Sequence, residues 1–195
     1  MPPPLLLASA SPRRADLLRA AGYAFAIEPA DIDEEAYQDQ YSPRELGLFL
    51  AQMKARDVAA RFPNHVVLAA DTVVTVNGKS LGKPVDVADA RRIMTLLAGR
   101  SHEVITGVAV RAGASEWFQA VTSHVAMPTL PPSELDLYLA SNRWRGKAGG
   151  YGIQDSNPIV ACLGGSVTNV MGLPMDETRS LLTLAGVAPV TPDNV

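Results

Sequence analysis

The chain has 195 residues, of which 47% are hydrophobic and 19% are charged, and its formal net charge at pH 7 is −3. This balance predicts a globular protein long enough to bury a core, and the negative charge argues against a general nucleic-acid-binding surface. The single cysteine, Cys162, excludes an intrachain disulfide and a cysteine-based zinc cluster.

No stretch of the sequence reaches the ~20 consecutive apolar residues that a membrane-spanning helix needs. The N-terminal segment MPPPLLLASA has no basic region and only a short apolar run, so it does not read as a signal peptide. We therefore expect a cytoplasmic protein without a membrane partner. The length fits one domain over residues 1–195, or two lobes that share one core.

The first half of the chain is predicted to alternate between strands and helices. Ser11 and Ser42 are predicted N-caps, because each is followed by proline at the first helical position. Ser42 and Glu45 also form the S-x-x-E pattern of a capping box. The predicted elements are a strand at 4–8, a helix at 12–21, a strand at 23–30, an exposed acidic loop at 31–41, a helix at 42–62 and a strand at 65–76.

The second half is predicted to open with a turn at Asn77-Gly78 and a helix capped by Asp86. Two long β-rich runs separated by Gly113 predict a hairpin. The remaining elements are a helix at 86–97, strands at 101–112 and 115–127, a helix at 133–141, a glycine-rich loop at 144–155, strands at 159–163 and 166–172 and a helix from about 173. Together these elements predict an α/β or α+β fold with a mixed sheet.

The segment ASASPRRADLL places Arg13 and Arg14 at the start of a helix, where the macrodipole disfavours cations by roughly 0.3–1 kcal/mol. A strand, a turn of small residues and a helix N-terminus form an anion site, to which Ser9 adds a hydroxyl. The alternative is a capped surface helix with solvated arginines. The second Ser-Pro-Arg, at Ser42, lacks a preceding strand and is followed by Glu45, so it indicates only capping. The comparison favours phosphate binding at the first copy.

Asp71 interrupts a strand that is otherwise apolar, and a buried carboxylate is costly unless it is paired, hydrogen-bonded or metal-bound. It could hold Mg²⁺, take a proton from water, or meet solvent at a bulge or strand end. Glu34 lies in an acidic loop of a kind that is usually solvated. Lys54 interrupts the apolar face of the long helix, from which it could extend to water.

The segments LGKP and RGKAGGYGIQD place Lys83 and Lys147 beside glycines, where the backbone can approach a ligand and lysine can meet a phosphate. Gln154 carries both a donor and an acceptor and could read the edge of a base. Several common motifs fail: NGKS lacks the earlier glycine of a P-loop, GGYGIQD is not G-x-G-x-x-G, and the sequence has no H-E-x-x-H.

Six segments taken together resemble the Maf family of nucleotide pyrophosphatases: LASASPRR, AADTVV, LGKP, AGRSHEVITGVAV, GKAGGYGIQ and VMGLP. They occur in the family's order and are spread over most of the chain. The resemblance implies an elongated α/β fold with a central cleft, similar to inosine triphosphate pyrophosphatases. It also implies one Maf-like domain over residues 1–195, with two lobes around the cleft as the open alternative.

The resemblance assigns roles to individual positions of this sequence. Asp71, Glu34 and Lys83 match catalytic positions, and Asp71 and Glu34 also match the positions that would hold a divalent cation (Mg²⁺, Mn²⁺ or Co²⁺). The phosphate-binding positions are Ser9, Arg13, Arg14 and Lys54, and the positions linked to base choice are Arg13, Thr72 and Gln154. Whether Asp71 acts as a base or as a metal ligand stays open.

The activity implied by the resemblance is hydrolysis of a nucleoside triphosphate to the monophosphate and pyrophosphate. The GKAGGYGIQ form is similar to the branch that acts on dTTP, UTP and modified pyrimidine nucleotides, although Asp155 stands where that branch more often has glycine. The alternative function is a nucleotide-binding regulator of cell division that does not hydrolyse. A nucleoside triphosphate is the expected partner, a homodimer is an open assembly, and no nucleic-acid partner is expected.

Overall fold

The computed structural model describes residues 4–38 and 40–190. Within these residues, seven strands form one mixed sheet in the order β2-β1-β3-β5-β6-β7, and β4 pairs with β3. Strand β1 runs parallel to β2 and β3, and the other pairs are antiparallel. The strands are β1 (Leu5–Leu7), β2 (Ala26–Ile27), β3 (Val66–Val76), β4 (Lys79–Leu81), β5 (Arg100–Ala112), β6 (Ser115–Met127) and β7 (Ala161–Gly164).

Helices cover both faces of this sheet, which confirms the α/β class with a mixed sheet. The helices are α1 (Pro12–Ala20), α2 (Pro43–Arg61), α3 (Val87–Leu97), α4 (Pro132–Ala140), α5 (Val167–Met171) and α6 (Met175–Leu184), with 3-10 turns at Glu35–Tyr37 and Ala148–Gly150. No helix among these residues combines the length and apolarity needed to cross a membrane.

Alternation of side chains along the strands distributes the core between the two faces. Leu5 and Leu7 pack with Leu18 of α1 and Leu182 of α6, while Leu6 packs on the opposite face against α2. Helix α2 lies so close to β5 that a Cβ atom on Gly107 would collide with the backbone of Gly47. The glycine of the segment VITGVAV therefore lets the helix approach the sheet.

Some local predictions are confirmed and others are wrong. The capping box at Ser42 is present, whereas Ser11 stands at the N-cap of α1 without a side-chain capping bond. The predicted strand at 166–172 is helix α5, which begins at Ser166 and ends at Gly172 with φ of 107°. The strand predicted at 23–30 is limited to Ala26–Ile27, and β4 was not predicted.

Candidate active site

A cleft of about 1570 Å³ lies between the N-terminus of α1, the middle of α2 and β3, and the glycine-rich loop before β7. Loops that follow different strands and helices meet there, so residues far apart in sequence line one cavity. The structure brings together all of the candidate residues: Ser9, Arg13, Arg14, Glu34, Lys54, Asp71, Thr72, Lys83 and Gln154.

Lys54 and Asp71 form a buried ion pair in the floor of this cleft. Both residues are 6% exposed, and Lys54 Nζ donates to Asp71 Oδ1 at 2.6 Å. Lys54 therefore does not extend to water, which corrects that expectation. Asp71 sits in regular register opposite Gly107, so it is neither at a bulge nor at a strand end. Helix α2 packs across β3, and this contact creates the pairing.

Glu34 completes a three-residue charge cluster with the same lysine. Its Oε1 atom lies 2.8 Å from Lys54 Nζ, and its Oε2 atom lies 3.5 Å from Lys83 Nζ. Burial opposes the charged form of Glu34, but the charge and hydrogen bond of Lys54, followed by those of Lys83, outweigh it and lower the pKa. Glu34 is thus ionised at neutral pH and held toward the cleft, unlike a simply solvated loop residue.

Arg14 is fixed by three hydrogen bonds, so it is not a solvated arginine. Nε donates to the carbonyl of Gly172 at 2.7 Å, Nη1 to Ser9 Oγ at 2.9 Å and Nη2 to Thr72 Oγ1 at 3.1 Å. Burial lowers the pKa of Arg14, the charge of Asp71 opposes this, and nearby Arg13 adds to the lowering. The guanidinium still has further N–H groups for a ligand, since it carries five.

Arg13 joins the start of α1 to the glycine-rich loop. Its Nη2 atom donates to the carbonyl of Gly146 at 3.2 Å. Burial lowers the pKa of Arg13, and the charge of Asp155 opposes the shift. With α1 pointing its free backbone N–H groups at the same cleft, the two arginines form a cationic wall suited to phosphate.

The glycine-rich loop is held by contacts that sequence reasoning missed. Lys147 Nζ lies 2.7 Å from Asp155 Oδ1 in a half-buried ion pair, so this lysine is already paired. Tyr151 OH meets His102 Nε2 at 2.5 Å inside the core. Gln154 is exposed at the edge of the cleft, beside the ion pair of Lys147 and Asp155. The segment GKAGGYGIQD contains both Lys147 and Asp155, but whether they pair depends on how the loop folds.

A second missed feature is a chain of buried hydrogen bonds behind the cleft wall. Thr106 of β5 lies opposite Thr72 of β3, and their Oγ1 atoms are 3.0 Å apart. Thr106 also donates to the backbone carbonyl of Asn169 at 3.0 Å. The register of β3 and β5 produces this contact, and no local sequence pattern marks it.

The carboxylates present fit a divalent cation that shares its coordination with a substrate. Among the described residues there is no group of three or more His, Cys, Asp or Glu side chains that could enclose a metal. Mg²⁺ is commonly held by one or two carboxylates together with substrate phosphates. Asp71 and Glu34 supply two carboxylates on one wall, and Asp71 Oδ2 takes no hydrogen bond from the residues that the structure describes.

The molecule is an α/β protein with a mixed sheet, and its cleft joins paired carboxylates, arginines and a helix N-terminus, an arrangement typical of sites for phosphorylated ligands. The profile of the Maf-like protein family matches residues 4–185, and the chain belongs to this family. This finding confirms the resemblance inferred from the six segments.

Relatives of similar length support the same assignment. The chain is 49% identical over 185 residues to the dTTP/UTP pyrophosphatase of Cereibacter sphaeroides, covering 94% of this chain and 95% of the relative. It is 47% identical over 190 residues to that of Caulobacter vibrioides, with 96% and 98% covered. It is 46% identical over 191 residues to that of Anaeromyxobacter dehalogenans, with 95% and 96% covered.

Proposed function

We propose that this chain hydrolyses pyrimidine nucleoside triphosphates, dTTP and UTP foremost, to the monophosphate and pyrophosphate. The names of its relatives give the substrate class. The observation that carries the proposal is the buried Lys54 bridging Asp71 at 2.6 Å and Glu34 at 2.8 Å beside the cationic wall. A protein that only bound phosphate would need the wall alone, without two carboxylates facing it.

In the proposed reaction, a water oxygen forms a bond to the α-phosphorus, the bond from that phosphorus to the bridging oxygen breaks, and pyrophosphate leaves with the bonding electrons. Arg13, Arg14 and the α1 N-terminus hold the triphosphate and balance its charge. Lys83, at the open side of the cleft, adds a further cation. The Ser9 hydroxyl and the backbone amides of Ser9 and Ala10 orient the phosphates, whereas the amides of Ala8 and Ser11 already donate to Leu68 and to Ser9 Oγ.

Asp71 is proposed to act on the attacking water. Lys54 holds Oδ1, which leaves Oδ2 to accept the proton or to hold a metal. Asp71 and Glu34 would hold the divalent cation, which supplies Lewis-acid neutralisation of phosphate charge when bound. Lys54 is assigned a positioning role for these carboxylates, in addition to the phosphate-binding role expected from its sequence position.

Base choice is proposed to depend on Arg13, Thr72 and Gln154, which all line the cleft. We further propose that residues 1–195 work as one domain with two lobes around the cleft, because β3 and β5 contribute buried side chains to two separate core clusters. A homodimer and the choice among Mg²⁺, Mn²⁺ and Co²⁺ stay predictions, to be tested by light scattering and by metal-dependent turnover.

The experiment that tests the assigned chemistry is Asp71→Asn, measured as pyrophosphate release from UTP and dTTP. We expect a loss of at least about 10²-fold, the usual contribution of a general base, with the fold retained. Asp16→Asn is the matched control, because Asp16 is exposed and pairs only with Arg19 among the described residues. Turnover of Asp71→Asn at the wild-type rate would refute the role. Nucleotide binding by the wild type without release would favour the non-hydrolysing regulator.

A further inference from the structure

The hydroxyl groups of Thr72 and Thr106 form a contact in which either oxygen could be the donor. Thr72 is half-buried and lines the cleft, whereas Thr106 is fully buried behind it. Each threonine hydroxyl has one proton and two lone pairs. The neighbours of the pair therefore decide which of the two oxygens supplies the proton between them.

The proton of Thr106 is committed away from Thr72. Thr106 Oγ1 lies 3.0 Å from the backbone carbonyl of Asn169, and a carbonyl oxygen can only accept. Since Thr106 has no second proton, Thr72 must donate in the 3.0 Å contact between the two hydroxyls. Arg14, which can only donate, takes one lone pair of Thr72 at 3.1 Å. Thr72 is left with a single free lone pair.

The carbonyl that sets this direction is itself held in place. Asn169 is fully buried, and its Nδ2 atom donates to the carbonyl of Val104 at 3.0 Å and to Ser123 Oγ at 2.9 Å. The backbone N–H of Gly172 donates to the same carbonyl of Asn169 at 2.9 Å. Because hydrogen bonds hold both the side chain and the carbonyl of Asn169, the carbonyl cannot turn away from Thr106. Thr106 therefore keeps donating to it.

We propose that Thr106 is a positioning residue that makes Thr72 an acceptor-only group in the cleft wall, so that Thr72 selects a ligand group carrying a proton. An ionised phosphate oxygen cannot satisfy it, because such an oxygen also only accepts. On the pyrimidine nucleotides of the proposed function, on which this inference rests, the sugar hydroxyls carry a proton whatever the base, and the ring donor that distinguishes uracil and thymine from cytosine is N3–H. Cytosine presents a bare lone pair at N3 and would face the lone pair of Thr72.

The test compares kcat/KM for UTP and CTP, which share their sugar and phosphates and differ only at base positions 3 and 4. Thr106→Val removes the hydroxyl, so the proton of Thr72 is free to turn toward the cleft and donate to cytosine N3. We expect the UTP-to-CTP ratio to fall on the order of tenfold, the worth of about one hydrogen bond. Thr106→Ala also removes the hydroxyl but leaves a smaller side chain, and it replaces Thr106→Val if that variant does not fold.

Two controls separate this role from a structural one. Thr106→Ser keeps the hydroxyl and should keep the wild-type ratio. Thr75→Val makes the same change at a buried threonine of β3 that does not line the cleft, and whose Oγ1 atom has no partner in the described part of the chain. It should leave the ratio unchanged even if it alters the melting temperature.

Each outcome then has one meaning. A fall of the ratio in Thr106→Val or Thr106→Ala, with retention in both controls, supports the inference. A wild type that hydrolyses UTP but treats CTP equally, or a ratio that is unchanged in both hydroxyl-deleting variants, overturns it and leaves the proposed function standing. A wild type that releases pyrophosphate from neither UTP nor dTTP overturns both.

Discussion

Replacement of Lys54 by methionine removes the cation that two carboxylates share. Methionine keeps most of the length of the apolar stem, so the change isolates the charge. In the folded protein Lys54 Nζ lies 2.6 Å from Asp71 and 2.8 Å from Glu34. Without it, Asp71 would remain 6% exposed with no cation in contact, and Glu34 would add a second negative charge nearby.

The expected cost follows from burial. Removing one partner of a buried ion pair generally costs about 3–5 kcal/mol, because the other charge is left uncompensated. An exposed pair of similar length is worth only about 0.2–1 kcal/mol. Arg91 and Asp136 form such a pair at 2.5 Å, with side chains 49% and 60% exposed. Arg91→Met is therefore the matched control for Lys54→Met.

Urea unfolding at pH 7 measures the effect, with Asp71→Asn made alone and together with Lys54→Met. We expect Lys54→Met to lower the free energy of unfolding by about 3 kcal/mol or more, and the added Asp71→Asn to restore much of that loss. A cost for Lys54→Met equal to that of Arg91→Met would refute the reasoning. So would a double variant in which the two losses simply add.

Two other predictions concern the cationic wall and the buried histidine. Arg13→Ala should raise KM for UTP about tenfold or more, since a charge-assisted contact is worth about 1.5–3 kcal/mol, and unchanged KM and kcat would indicate a solvated arginine. Burial lowers the pKa of His102 from 6.5 to about 4, and a hydrogen bond with the backbone of Arg100 opposes this shift more weakly. Neutral His102 therefore contributes its full stability above pH 6.5, and this contribution is lost as the pH falls through 4. Urea unfolding at pH 7 and pH 4 should show up to about 3 kcal/mol of this loss in the wild type and not in His102→Gln; equal losses in both would contradict it.

Local sequence signals accounted for much of the fold. The S-x-x-E pattern fixed the start of α2, and the run of β-branched residues around Val73 and Val74 marked β3. The same reasoning failed at α5, where Val167 and Val170 suggested a strand. In that segment the cap at Ser166 and the left-handed Gly172 outweighed β propensity, which is weaker and depends on context.

The sequence indicated which residues belong to the candidate site, but it did not indicate which of them contact one another. The unusual placement of Arg14 and Asp71 in the sequence indicated that each needed a partner. Their partners are set by packing: Lys54 reaches Asp71 because α2 crosses β3, and Thr106 reaches Thr72 through the register of β5 on β3. Such pairings join residues from different elements, so neither periodicity nor spacing encodes them.

Hydrolysis of UTP in ¹⁸O-labelled water with Mg²⁺ tests attack of water at the α-phosphorus most directly. Mass spectrometry of the products reports which phosphorus received the water oxygen. We expect pyrophosphate as the second product and one ¹⁸O atom in the monophosphate, with none in pyrophosphate. Orthophosphate as the released product, or ¹⁸O in the pyrophosphate, would contradict it.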